Sequence, residues 1–63
     1  MKDLDIGPIL VSRAEAARLL SISVPEVDRL RRVGDLVARR RGRRVLFPMA
    51  ELRRYADTLP ADE

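Results

Sequence analysis

The sequence contains no cysteine and no histidine. The first absence excludes a disulfide framework and any thiolate metal site. The second removes the commonest general base and the commonest zinc ligand. In a chain of 63 residues these losses argue against an enzyme, and no cofactor, metal or small-molecule ligand is expected. Tryptophan is also missing, and Phe47 and Tyr55 are the only aromatic residues. Both stand at core spacing, so a platform for stacking single-stranded bases is not expected. No apolar run approaches the ~18 residues of a membrane span. Met1-Lys2-Asp3-Leu4-Asp5 is not followed by a signal-peptide core. A cytoplasmic protein without a membrane partner is the expectation.

Lysine is nearly absent too: Lys2 is the only one among thirteen basic residues, and the rest are arginine. Arginine grips phosphate and guanine bidentately and enters narrow minor grooves, whereas lysine acts more as a point charge. The placement of charge is uneven. Residues 1–28 carry three basic and five acidic groups, residues 29–54 ten basic and two acidic, and residues 55–63 three acids and no base. The nets are −2, +8 and −3 within a total of +3. A GC-rich genome would explain arginine over lysine, but not this clustering. An electrostatic face of the kind that meets nucleic acid is implied.

The hydrophobic fraction is 46%, enough for one domain with one small core. Residues 1–8 end in Gly7-Pro8 and read as a flexible lead-in; the folded domain is placed at 9–57 and an acidic tail at 58–63. Ile9-Leu10-Val11 is a short apolar segment, extended in character. Ser12-Arg13-Ala14-Glu15 has the form of a capping box, in which the Ser hydroxyl accepts a first-turn amide and the Glu reaches back. A first helix follows to about Leu20, with Ala16, Leu19 and Leu20 on one face. Ser21-Ile22-Ser23 is a tight connection. Ser23-Val24-Pro25-Glu26 is a second capping box with Pro in the first turn. The second helix turns Val27, Leu30 and Val33 inward, and Gly34 is its left-handed terminator. Two short helices joined by three residues form a helix-turn-helix unit.

The period then changes. Residues 37–40 and 44–47 read as strands about Arg41-Gly42-Arg43, with Val45 and Phe47 on the packed side. Pro48 opens a third helix from Met49 to about Asp57, with Leu52 and Tyr55 inward. The fold class is thus mainly α with a small β-hairpin: a winged helix-turn-helix of two helices, a two-stranded wing and a third helix.

Five arginines, Arg39, Arg40, Arg41, Arg43 and Arg44, surround Gly42. Together they repel one another unless a polyanion lies against them. Double-stranded DNA is the expected partner, with the tip 41–43 in the minor groove and the strand arginines on phosphates. Gly42 permits close backbone approach. The second helix is the expected major-groove element. Arg29 and Arg32 share a face and are candidates for guanine or phosphate, while Arg31 points elsewhere, toward DNA backbone or solvent. Glu26 either accepts from a cytosine amino group or merely completes its capping box. Asp28 is expected to pair with Arg31 or Arg32. Val24 either meets a thymine methyl or packs. Ser12, at a helix N-terminus, and Arg13 beside it are candidates for phosphate. Arg53 and Arg54 are expected to be solvated or to face a neighbouring protomer.

Residues 10–56 resemble the helix-turn-helix domains of phage excisionases and their MerR-like relatives. The matching pieces are Leu10-Val11-Ser12, Glu15-Ala16-Ala17-Arg18-Leu19-Leu20, Ile22-Ser23, Val27, Arg29-Leu30, Gly34, Leu36, Ala38, Arg40, Gly42-Arg43-Arg44, Phe47-Pro48 and Leu52. The family commonly has arginine or polar residues, threonine and tyrosine where this chain has Val24, Pro25, Glu26 and Asp28. The resemblance implies a recombination directionality factor. Such a protein binds attachment-site repeats cooperatively, head to tail, bends the DNA and directs an integrase of the tyrosine type toward prophage excision. A small transcriptional regulator on the same fold is the alternative, and an adaptor that uses its acidic face to bind protein is a third.

Overall fold

A computed structural model describes residues 8–62. The expected lead-in falls, but for Pro8, outside the described residues, as does Glu63 of the expected tail. In chain order the elements are β1 (Leu10–Val11), α1 (Arg13–Leu20), α2 (Val24–Arg32), β2 (Arg39–Arg41), β3 (Arg44–Pro48) and α3 (Met49–Thr58). This is the winged helix-turn-helix expected from the sequence, with one addition. The apolar segment at 10–11 becomes a third strand, antiparallel to β3, so the sheet order is β1-β3-β2.

Both helices of the helix-turn-helix start on a serine. Ser12 Oγ accepts from the Glu15 N–H at 3.1 Å, and Ser23 Oγ accepts from the Glu26 N–H at 3.2 Å. Each bond satisfies one orphan donor of a first turn. The return half of each capping box does not form. Glu15 holds Arg18 and Glu26 holds Arg29 instead, each through two nitrogens of the guanidinium. A charge-assisted pair three residues ahead on the helix outcompetes a bond to a neutral amide.

Both helices also end in the same way. At the end of α2, the Asp35 N–H donates to Leu30 O at 2.8 Å and the Gly34 N–H to Arg31 O at 3.2 Å, with Gly34 at φ +90°. This is a Schellman turn on the glycine expected to supply it. At the end of α1, Ile22 N–H bonds Ala17 O and Ser21 N–H bonds Arg18 O. There the left-handed position is Ser21, at φ +61°, the only non-glycine residue with positive φ among the described residues. A side chain there is strained against its own backbone.

The core joins Val11, Ala16, Ala17, Val27, Leu30, Leu36, Phe47 and Leu52. Two of the expected inward positions are corrected. Leu19 is 40% exposed because α1 packs through Ala16 and Ala17, and Leu19 lies about 100° around the helix from that face. Val33 is 57% exposed. The helical period stops at Arg32, so Val33 is a cap residue, and Leu36 closes the core in its place, its N–H bonding Leu30 O. Tyr55 is half-buried at the margin. In the wing, Val45 is half-buried and Phe47 fully buried on one face, as alternation requires. Leu46 on the other face is buried as well. β3 is the central strand of three, and Leu46 pairs with Arg39.

The hairpin is tighter than expected. Arg41 pairs with Arg44, leaving Gly42-Arg43 as a two-residue loop. Gly42 has φ +61° and Arg43 a negative φ, the sign pattern of a type II′ turn. Residues 37–38 lie outside β2.

Replacing Ser21 with glycine removes the left-handed strain while keeping both terminal hydrogen bonds. The expected outcome is a gain of about 1 kcal/mol, read as a rise of several degrees in the thermal midpoint. A lower midpoint for Ser21→Gly would contradict this account of the turn.

Candidate nucleic-acid interface

Helix α2 presents its polar residues on two flanks. Core contacts use Val27 and Leu30, with Val24 half-buried against the same cluster. On one flank Glu26 and Arg29 hold each other, and Arg29 lies within electrostatic reach of Tyr55 on α3 and of Asp35. On the other flank Asp28 takes both Nε and Nη2 of Arg13, at 2.8 and 2.7 Å. This pair spans the turn and ties the first residue of α1 to the middle of α2. The guanidinium holds the Asp28 carboxyl below its usual range, chiefly by hydrogen bonding, and Arg31 and Arg32 add to it. Asp28 was expected to pair with Arg31 or Arg32. The partner comes instead from α1 and reaches both oxygens at once. Arg13 keeps Nη1 outside that pair.

The wing lies on the Asp28 flank. A concavity brings Ser12, Arg13 and Ala14 of the α1 start together with Arg43, Arg44 and Val45. A second groove runs between the end of α2 and the hairpin, with Arg31 and Gly34 on one bank and Arg39, Arg40 and Val45 on the other. Directly opposed residues of an antiparallel ladder share a face. Arg40 opposes Val45 and therefore stands on the face turned to the helices. Arg39 opposes Leu46, and Arg41 opposes Arg44, on the reverse face. The five wing arginines are exposed. Among the described residues, none has a carboxylate within ion-pair distance. The same holds for Arg31, Arg32 and Arg53. The basic cluster is thus split by the pleat, with one strand arginine toward the helices and three away.

Sequence reasoning left Arg31 to the DNA backbone or to solvent, and the fold puts it beside the wing. The signal was the position of Gly34: a helix that turns back three residues later brings its last turn against the following hairpin. It also missed the contact that holds the wing. Glu51 of α3 accepts from the Val37 N–H at 3.0 Å and from two nitrogens of Arg54. Arg54 in turn donates to Asp35 O at 2.7 Å. Arg54 was expected in solvent or at a neighbouring protomer; the backbone of 35–37 is what it grips, because that loop offers an acceptor and a donor to a Glu–Arg pair. Nothing in the local sequence signals a pairing fourteen and nineteen residues distant.

The other expected residues are located as follows. Arg32 is exposed on α2, and Val24 is half-buried. Glu26 spends its carboxylate on Arg29 and its N–H on Ser23. Ser12 is half-buried, with its hydroxyl on the Glu15 amide. No helix among the described residues is long and apolar enough to cross a membrane, and those residues contain no cluster of acidic side chains able to hold a metal ion.

This arrangement defines a winged helix-turn-helix DNA-binding domain. A family model described as a helix-turn-helix domain matches residues 10–59, and the chain belongs to that family. No curated protein and no solved structure matches it.

Two outcomes are expected. The Glu51 carboxyl lies below its usual range, held there first by Arg54 and then by the Val37 amide, against the opposing effect of burial. A depressed carboxylate contributes stability that is present above its unfolded value and lost as pH falls through its folded one. The thermal midpoint should fall on acidification below about pH 4, and Glu51→Gln should flatten part of that fall. An unchanged acid profile in Glu51→Gln would remove the latch from the account. For binding, neutralising Arg41 and Arg43 to glutamine should weaken duplex affinity at least as much as neutralising Arg29 and Arg32, since Arg29 is already engaged by Glu26. The reverse order returns the main contact to α2.

Proposed function

We propose that this domain works as an excisionase-type recombination directionality factor. In this reading α2 lies in the major groove with Val24, Glu26, Arg29 and Arg32, and the wing meets minor groove and phosphates through Arg39, Arg40, Arg41, Gly42, Arg43 and Arg44. Ser12 and Arg13 meet phosphate at the start of α1. Copies bind neighbouring repeats head to tail, bend the duplex, and help an integrase of the tyrosine type assemble its excisive complex. The domain supplies no chemistry; binding free energy goes into deforming DNA. The observation that carries this reading is the charge layout. A centre of net +8 at residues 29–54 is flanked by segments of −2 and −3. A basic centre suits the duplex, and acidic flanks suit the basic centre of the next copy. Such a contact is heterologous and open-ended. The site of action is the bacterial cytoplasm.

The small-regulator reading shares the fold and the contacts, and separates from this one only at the level of the target. On a fragment with several sites, stepwise gel shifts with rising affinity are expected, together with stimulation of excision in vitro when integrase is present. Independent filling of sites, with no effect on excision, favours the regulator. A salt-independent affinity would overturn DNA binding itself as the main role, because each neutralised phosphate contributes about 0.9 to the log–log slope.

A further inference from the structure

We infer that the groove between α2 and the wing seats the sugar–phosphate backbone of one DNA strand, with Arg31 and Arg40 as its phosphate-binding residues. The inference rests on the reading of this domain as a duplex binder and names a site within it. Three observations carry it. The first is shape: the groove has a volume of about 300 Å³ and runs along the last turn of α2 on one side and the hairpin on the other. The second is chemistry. Its floor is apolar, with Leu36 buried and Ala38 and Val45 half-buried, while Arg31 and Arg40 stand on opposite banks. The ladder register puts Arg40 on the same face as Val45, so its side chain shares the groove's side of the sheet. The third is charge: neither arginine has a carboxylate partner among the described residues, whereas Arg13, Arg18, Arg29 and Arg54 all do. An apolar floor between two uncompensated guanidiniums fits a deoxyribose flanked by phosphates.

The geometry of the duplex supplies the rest. Major and minor grooves are separated by a single strand. A helix in one and a hairpin in the adjacent other must therefore have that strand's backbone between them. In this fold the space between those two elements is the groove of Arg31 and Arg40. Contacts of this kind fix register on the duplex and carry no sequence information. Arg31, left between backbone and solvent by helical period, becomes the residue that couples the two grooves' readers.

The test compares Arg31→Gln, Arg40→Gln and Arg53→Gln with the unaltered chain on its own site and on unrelated duplex, across a salt series. All three variants lose one exposed positive charge, so a long-range field effect is common to them. Arg31→Gln and Arg40→Gln should each lower the slope of log affinity against log salt by about 0.9, by the same amount on both duplexes. Arg53→Gln, on α3, should leave the slope unchanged. In a duplex carrying single neutral methylphosphonate linkages, one position should weaken the unaltered chain but not the Arg31→Gln variant. Unchanged slopes for Arg31→Gln and Arg40→Gln, or losses confined to the specific site, overturn the inference while leaving DNA binding intact. An unaltered chain that binds no duplex overturns both.

Discussion

Strand β3 is the constraint on which the rest depends. It is five residues long, and it pairs with β1 on one edge and β2 on the other. Phe47 within it is fully buried among residues of both helix-turn-helix helices, α3 and the loop at Leu36. The arginines of β2 have no purchase on the core of their own: every residue of that strand is exposed. The wing is therefore held by its pairing to β3, and β3 is held by Phe47. Domains of this size have total stabilities of only a few kcal/mol, and truncating a buried phenylalanine costs about 3–5. Core and candidate interface are consequently one cooperative unit. A wing that detached from its core would expose both an apolar strand and a row of unpaired backbone groups.

How much of this was legible in the sequence follows from the range of the interactions. The serine caps, Gly34 and Gly42 act within four or five residues, and each stands where its local pattern puts it. Periodicity also located the helices, because it needs only one face to be apolar. It failed at Leu19 and Val33, where apolar residues at acceptable spacing were not used. In α1 the small side chains of Ala16 and Ala17 let the helices approach closely, and that choice of face is made by the partner helix. In α2 the helix simply ended before Val33. The ion pairs were the least legible part. Asp28 had Arg31 and Arg32 ahead of it on its own helix and took Arg13 from α1. Glu51 took an amide from the loop before the wing. Pairings across fifteen or fourteen residues are decided by packing, and a sequence shows only that charges of both signs exist.

The ion pairs also explain how a chain this small tolerates its charge. Acidic groups sit beside arginine on each of the three helices, and the four carboxylates Glu15, Glu26, Asp28 and Glu51 are all held below their usual range by those neighbours. Individually such exposed pairs contribute little. Their collective consequence is spatial. They neutralise the body of the helix-turn-helix and, among the described residues, leave guanidiniums on the wing and at the end of α2 without a carboxylate partner. Like charges this close oppose compaction in the free protein. A polyanion laid against them relieves that opposition, and the counterions it releases add a salt-dependent gain.

Neutral helices and a charged wing imply a division of labour. In the proposed reading, a helix whose N-terminal half carries Glu26 and Asp28, each tied to an arginine, meets the major groove with little net charge there. Attraction to phosphate must then come from the wing and from Arg31 and Arg32. In that reading, affinity on any duplex is set mainly by the wing and the last turn of α2, and discrimination by the first turns of α2. In the proposed reading, a domain built this way binds non-specific DNA readily and depends on something further to select its site. Contacts between adjacent copies supply that selection in this reading, because they are made only where repeats are correctly spaced. Neutralised helices, a basic wing and acidic flanks are mutually consistent with that proposal, in which specificity is assembled on the DNA.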